Sequence, residues 1–168
     1  MKFQQIRSAT AIITYAGSRF LIDPLFAPKD YFQPFPKCLT PDLRWPLTEL
    51  PLAPEEIVKN TDAVILTHSH IDHIDEFAAK ALPKNIKVFV QDSYDEKFMR
   101  DFSFTDVEIL PETGTEFNGV TLYKTNCLHG VPEKAMPYYK MFGYRPDAMG
   151  VVFKHVDEPI TYLAGDTI

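Results

Sequence analysis

Cysteine is scarce. Cys38 and Cys127 are the only two in 168 residues, far apart and with no C-x-x-C spacing, so a disulfide scaffold and a cysteine-ligated zinc ribbon are both excluded and the thiols read as reduced. No run approaches the roughly 20 apolar residues of a membrane span. The opening MKFQQIRSATAIITYAGS holds no apolar block long enough for a secretory signal. The expected location is therefore the cytoplasm. Basic residues are outnumbered, seventeen to twenty-three, for a net charge of −6. That balance excludes a polybasic nucleic-acid footprint, although positive charge brought by a bound metal would not enter the count. Internal repeats and low-complexity tracts are missing as well. Histidine is equally rare, five in the chain, yet three of them fall within His68–Asp75.

Apolar residues make up 45% and aromatic residues 13%, enough for a core of one globular domain spanning 1–168. ATAIITYA (9–16) and RFLID (19–23) read as a hairpin broken at Gly17-Ser18. Pro24, Pro28, Pro34, Pro36, Pro41, Pro46, Pro51 and Pro54 then follow, among Phe26, Tyr31, Phe32, Phe35 and Trp45. Proline fixes φ and lacks a donor, so this stretch is neither helix nor central strand and reads as a long ordered loop. Beyond it, alternating units are expected: helix 54–60, strand AVIL (63–66), helix EFAAKAL (76–82), strand KVFVQ (87–91), and a helix capped by Ser93 with Glu96 and ending near Phe102. VEIL (107–110), GVTLYKTNCL (119–128), GVVFKH (150–155) and ITYLAG (160–165) read as strands. Segment 130–149 interrupts them with further prolines and aromatics, including Tyr138, Tyr139, Phe142 and Tyr144. The class is α/β with much antiparallel sheet.

The histidine cluster follows the strand AVIL without a break. Side chains alternate along an extended chain, so His68 and His70 point the same way and can share one metal. Asp72 and His73 come after the chain has begun to turn and are placed to grip a second ion. A single histidine after a buried strand is usually a hydrogen-bonded turn residue. H-x-H-x-D-H directly after such a strand is far more specific.

Thr67-His68-Ser69-His70-Ile71-Asp72-His73 resembles the T-H-x-H-x-D-H signature of the metallo-β-lactamase fold superfamily. "NCLHG", ending in His129, "YLAGDT", carrying Asp166, and "FLIDP", carrying Asp23, match that family in order and spacing across residues 9–168. The chain looks most like the branch that includes ascorbate-6-phosphate lactonase and N-acyl-phosphatidylethanolamine phospholipase D. The resemblance implies an αββα four-layer sandwich, with His68, His70 and His129 on one metal, Asp72 and His73 on a second, and Asp166 bridging both. Two divalent cations are implied, zinc suiting the histidine-rich set best, with manganese or iron using the same donors. The implied activity is hydrolysis of a small ester, lactone or phosphoester by a metal-bridged hydroxide, with Asp72 orienting it or collecting a proton. Asp23 is either a plain Asp-Pro turn or a residue supporting the ligands from behind. His155 reads as a surface histidine. In the family's oxygen-reducing branch a glutamate commonly replaces the second histidine, and His70 keeps the hydrolytic pattern.

A nuclease of the same superfamily is the nearest alternative, and a non-catalytic metal-binding sensor or interaction domain is another. Segments 24–54 and 130–149 are expected to cover the site. Lys134, Lys140 and Arg145 could receive an anionic group of a small-molecule substrate, or could equally belong to a solvated face, while the aromatics could take an acyl or aryl group. In the resembling family the G-D dipeptide lies mid-domain and a later histidine completes the second metal. The chain is accordingly expected to be incomplete at its C-terminus or completed by a partner copy, with one sheet face left apolar and uncovered.

Overall fold

The structure is a computed structural model, and it describes residues 1–35, 38–130 and 132–167. Pro36 and the side chains of Tyr138 and Phe142, which belong to the expected covering segments, lie outside the described residues. Two sheets carry the chain. The first has the order β1 (Lys2–Arg7), β2 (Thr10–Tyr15), β3 (Ser18–Ile22), β4 (Ala63–Ile65), β5 (Lys87–Val90) and β6 (Val107–Ile109). Its first three strands are antiparallel and the rest parallel. The second has the order β10 (Glu158–Leu163), β9 (Asp147–His155), β8 (Val120–Leu128) and β7 (Thr115–Phe117), all antiparallel.

Period-2 alternation divides the core into two layers. Ile12, Leu21, Val64, Val88 and Val90 face helices α1 (Pro54–Val58), α2 (Glu76–Ala81) and α3 (Ser93–Asp101) and pack on Ile57, Ala78 and Met99. Their neighbours Ile13, Phe20, Ile22, Ile65 and Phe89 face the other way, onto Leu122, Met149, Val151 and Phe153 of the second sheet. All of β4 is buried because both of its faces are covered. The outer side of the second sheet leaves Ile160 and Tyr162 on β10 exposed.

The β2/β3 turn is Ala16-Gly17, not Gly17-Ser18. Tyr15 pairs with Ser18, and both loop residues have positive φ, +47° and +83°, as the hairpin turn matching strand twist requires. The α3 cap is Asp92 rather than Ser93. The Asp92 side chain accepts from the amides of Tyr94 and Asp95, and a carboxylate one residue upstream outcompetes the serine hydroxyl at a helix N-terminus. The strands β1 and β7 were not anticipated. Asn118-Gly119, both at positive φ between Phe117 and Val120, is the dipeptide that would have announced the β7/β8 hairpin. Segment 130–149 is not a loop throughout. It contains helix α4 (Pro132–Phe142) with Pro137 inside it, where a proline removes one backbone bond and crowds the carbonyl four residues back.

Among its described residues, segment 24–53 is without helix or strand apart from one bridge between Phe32 and Trp45. Its two ends are held together by Arg7, whose buried guanidinium donates to the carbonyls of Leu25 (3.0 Å), Ala27 (2.8 Å) and Thr48 (2.9 Å).

Candidate metal centre

Four strand ends converge. Asp23 follows β3, His68 to His73 follow β4, His129 follows β8 and Asp166 follows β10, each just past the C-terminal end of its strand. Strand ends in open α/β sheets gather ligands because the loops there are free to vary over a rigid scaffold. The two sheets are tied at this point by the Met149 amide donating to the Thr67 carbonyl at 3.1 Å. Gly165 makes the last approach feasible. It has φ +67°, and a Cβ there would lie 2.5 Å from the Met149 carbonyl oxygen.

The imidazoles pack on one another, with ring centroids 4.3 Å apart for His68 and His70, 4.0 Å for His68 and His73, and 4.9 Å from His129 to both His68 and His70. Ligand atoms of His68, His70 and His129 all lie within 4.8 Å of one another, and so do those of His68, His73 and Asp166. Asp166 Oδ2 sits 3.1 Å from His129 Nε2 and 3.3 Å from His73 Nε2, between the two groups. Asp72 is more open, 3.9 Å from His73 Nε2. Of the residues singled out from the sequence, these six and Asp23 are brought together. Lys134 and Lys140 lie exposed on α4. Arg145 is matched by Asp92 and Asp147, each at 2.7 Å.

The backs of the rings are fixed. Asp23, buried and at φ +43°, accepts from the Thr67 amide and hydroxyl, both at 2.8 Å, and lies 3.0 Å from His73 Nδ1. This leaves His73 Nε2 facing the cluster. His70 Nε2 donates to the Arg145 carbonyl at 2.8 Å, which turns its Nδ1 the other way. His129 Nδ1 meets the Tyr139 hydroxyl. His68 Nε2 is buried with no hydrogen-bond partner among the described residues.

Burial, then the neighbouring imidazoles of His73, His70 and His129, pushes the pKa of His68 well down. Burial also lowers that of His70, against the pull of the Arg145 carbonyl. Burial opposes a charge on His73 too, but Asp23, Asp166 and Asp72 outweigh it and raise its pKa to about 10. Hydrogen bonds from His129 and His73 hold the Asp166 carboxyl far below the usual range, and the bond to Asp166 raises His129. A buried His68 Nε2 without a partner among the described residues, two imidazoles held toward the neutral form, and a carboxylate set between the histidines together fit a divalent cation. Such a donor set would hold one through His68, His70 and His129 and another through Asp72, His73 and Asp166.

Sequence reading missed two supports. Asp75 Oδ1 caps α2 by accepting from the Ala78 amide (2.7 Å), while Oδ2 accepts from Phe26 (2.9 Å) and Ala27 (2.6 Å). The Asp-x-x-Ala cap was readable, and the partners 48 and 49 residues away were not. Asp95, 1% exposed, accepts from the Ser69 hydroxyl at 2.5 Å and from Gln91 Nε2 at 2.9 Å. Burial raises its carboxyl above the ordinary 3.8. Folded Asp95 therefore keeps its proton at pH values where the unfolded chain has released one, and its contribution to stability falls as pH rises through that window. Asp95→Asn is expected to flatten this part of the slope in urea midpoints measured upward from about pH 4. A slope identical to that of the parent would contradict the assignment.

A family model described as beta-lactamase superfamily domain matches residues 18–167. The UPF0173 protein YddR of Bacillus subtilis (strain 168) is 43% identical over the whole chain, which spans 63% of that relative. Two solved structures superpose closely. One is a possible metal-dependent hydrolase from Veillonella parvula DSM 2008, with TM-score 0.91 and 40% identity, covering 99% of this chain and 63% of its own. The other is the isothiocyanate hydrolase from Delia radicum gut bacteria, with TM-score 0.90 and 41% identity, covering 100% of this chain and 64% of its own.

Proposed function

The chain belongs to the beta-lactamase superfamily, and on that premise we propose that it is a metal-dependent hydrolase built around two divalent cations. The observation that carries this reading is the convergence of His68, His70 and His129, and of His68, His73 and Asp166, to within 4.8 Å, with a buried His68 Nε2 lacking a partner. Zinc suits these donors best. Bound there, such cations supply a water-derived nucleophile at neutral pH and polarise the oxygen or sulfur of the group under attack.

The chain's own residues do the rest. Asp23 accepts a hydrogen bond from His73 Nδ1–H and so fixes which nitrogen faces the cations. The Arg145 carbonyl does the same for His70, and the Tyr139 hydroxyl orients His129. Asp72, half exposed beside His73, orients the attacking water, accepts its proton and returns it to the leaving group. Asp166 sits between both ligand groups. Esters, lactones and phosphoesters are the candidate electrophiles. Isothiocyanates join them because a protein 41% identical over the full chain carries the name isothiocyanate hydrolase.

The test is a panel of these classes offered to the purified chain before and after chelation. Turnover of one class, lost with the metal and regained on adding zinc, manganese or iron back, is the expected result. Turnover indifferent to chelation, or metal-loaded protein inert toward every class, would defeat the proposal.

A further inference from the structure

Two carboxylates stand three residues apart at the start of α3. Asp92 Oδ1 accepts the Tyr94 and Asp95 amides, while its Oδ2 accepts from Arg145 Nη1 at 2.7 Å. Asp95, almost fully buried, accepts from the Ser69 hydroxyl through Oδ1 and from Gln91 Nε2 through Oδ2. Gln91 Nε2 also reaches the Asp147 carbonyl at 3.1 Å, and Asp147 Oδ2 accepts from Arg145 Nη2 at 2.7 Å. The contacts close into a circuit that joins the end of β5, the first turn of α3 and the start of β9.

This circuit grips His70 from two sides. Ser69 lies between His68 and His70, so its bond to Asp95 holds the backbone from which both rings project. Arg145 gives its carbonyl to His70 Nε2 at 2.8 Å, so the guanidinium held by Asp92 and Asp147 fixes where that acceptor stands. The Tyr144 ring covers the same imidazole, with centroids 4.6 Å apart. The space left among these residues is about 20 Å³, room for about one water and for no substrate. Among the described residues, the hydrogen bonds of the circuit reach neither His73 nor Asp166, whose partners are Asp23 and His129.

We propose that Asp92 and Asp95 are positioning residues for the cation held by His68, His70 and His129, acting through Arg145 and Ser69. The first turn of α3 thereby sets the affinity of one metal position and leaves the other alone. The proposal rests on the two-cation reading for what the imidazoles hold, and its test includes a readout on the metal-free chain.

Two variants separate positioning from helix stability and from simple charge. Asp92→Asn keeps an equally good N-cap and weakens only the ionic hold on Arg145. Ser69→Ala removes a hydroxyl and no charge, so a loss common to both follows from neither capping nor Coulomb attraction. The chain has five histidines, and NMR follows their ring nitrogens one by one as zinc is added. In both variants the His70 and His129 signals should reach their bound positions at roughly tenfold higher free zinc, the usual scale for lost support behind a ligand. The His73 transition should stay where it is in the parent. In the metal-free parent His70 should carry its proton on Nε2, and in both variants a share of it should move to Nδ1. Unchanged zinc midpoints at His70, or equal shifts at His70 and His73, would overturn the proposal. If the parent binds no zinc, the two-cation reading falls and the metal-free spectra decide. His70 ring nitrogens identical in parent and both variants then remove the positioning role, and a shift in both variants upholds it.

Discussion

His68→Ala/His70→Ala protein, purified beside the parent, is expected to have lost its metal. In the proposed arrangement the parent carries about two divalent ions per complete site, and elemental analysis of the variant should read near zero. The double variant leaves the first set of ligands with His129 alone, and His68 also lies within 4.8 Å of His73 and Asp166 in the second cluster, so its removal disturbs both. Hydrolysis should fall with the metal, by several orders of magnitude. Because His68 and His70 are almost fully buried, a third sample, His70→Ala alone, separates loss of ligation from loss of fold by circular dichroism. Equal metal in parent and double variant would refute the ligand assignment.

Asp75→Ala is expected to cost about 3 to 5 kcal/mol of folding stability, the sum of one lost helix cap and buried amides left without acceptors. The three amides belong to Ala78, Phe26 and Ala27, so one carboxylate joins the start of α2 to the start of the proline-rich segment. Against a typical domain stability of about 5 to 15 kcal/mol this is a large fraction, readable as a lower urea midpoint. Asp75→Asn should recover at most part of it, because its amide nitrogen would point a donor at donors. The neighbouring exposed Glu76→Ala provides the control, with an expected change within about 0.5 kcal/mol. A loss below about 1 kcal/mol for Asp75→Ala would show that water replaces the carboxylate.

What the sequence made legible depended on how local its physics was. The H-x-H-x-D-H run could be read because alternation after a buried strand fixes which side chains share a direction, and the family resemblance then pointed to His129 and Asp166. Central strands such as AVIL could be read because both faces are buried and every residue is apolar. Chain-distant pairings could not. The Asp75 carboxylate reaches residues 48 and 49 positions away, Arg7 reaches carbonyls up to 41 positions away, and Tyr139 reaches His129 from a helix that its prolines disguised as a loop. The basic residues looked available for a substrate anion, but Arg145 is held between Asp92 and Asp147, a geometry that only the meeting of α3 with β9 creates. Turn chemistry was closer to hand. Asn118-Gly119 carried its signal openly, and Asp92 stood next to the serine taken for the cap.

The candidate ligands come from both sheets, from the end of β4 on one side of the core and from the ends of β8 and β10 on the other. A cation held there would act as a clasp across the seam between the layers. Since only the folded arrangement presents all the donors, free metal becomes a thermodynamic variable of folding itself. Above the dissociation constant, each tenfold rise in free cation adds about 1.4 kcal/mol per site. Melting temperatures of this protein would then be properties of the solution as much as of the chain, and a cell starved of the metal would hold molecules whose layers part first at this end.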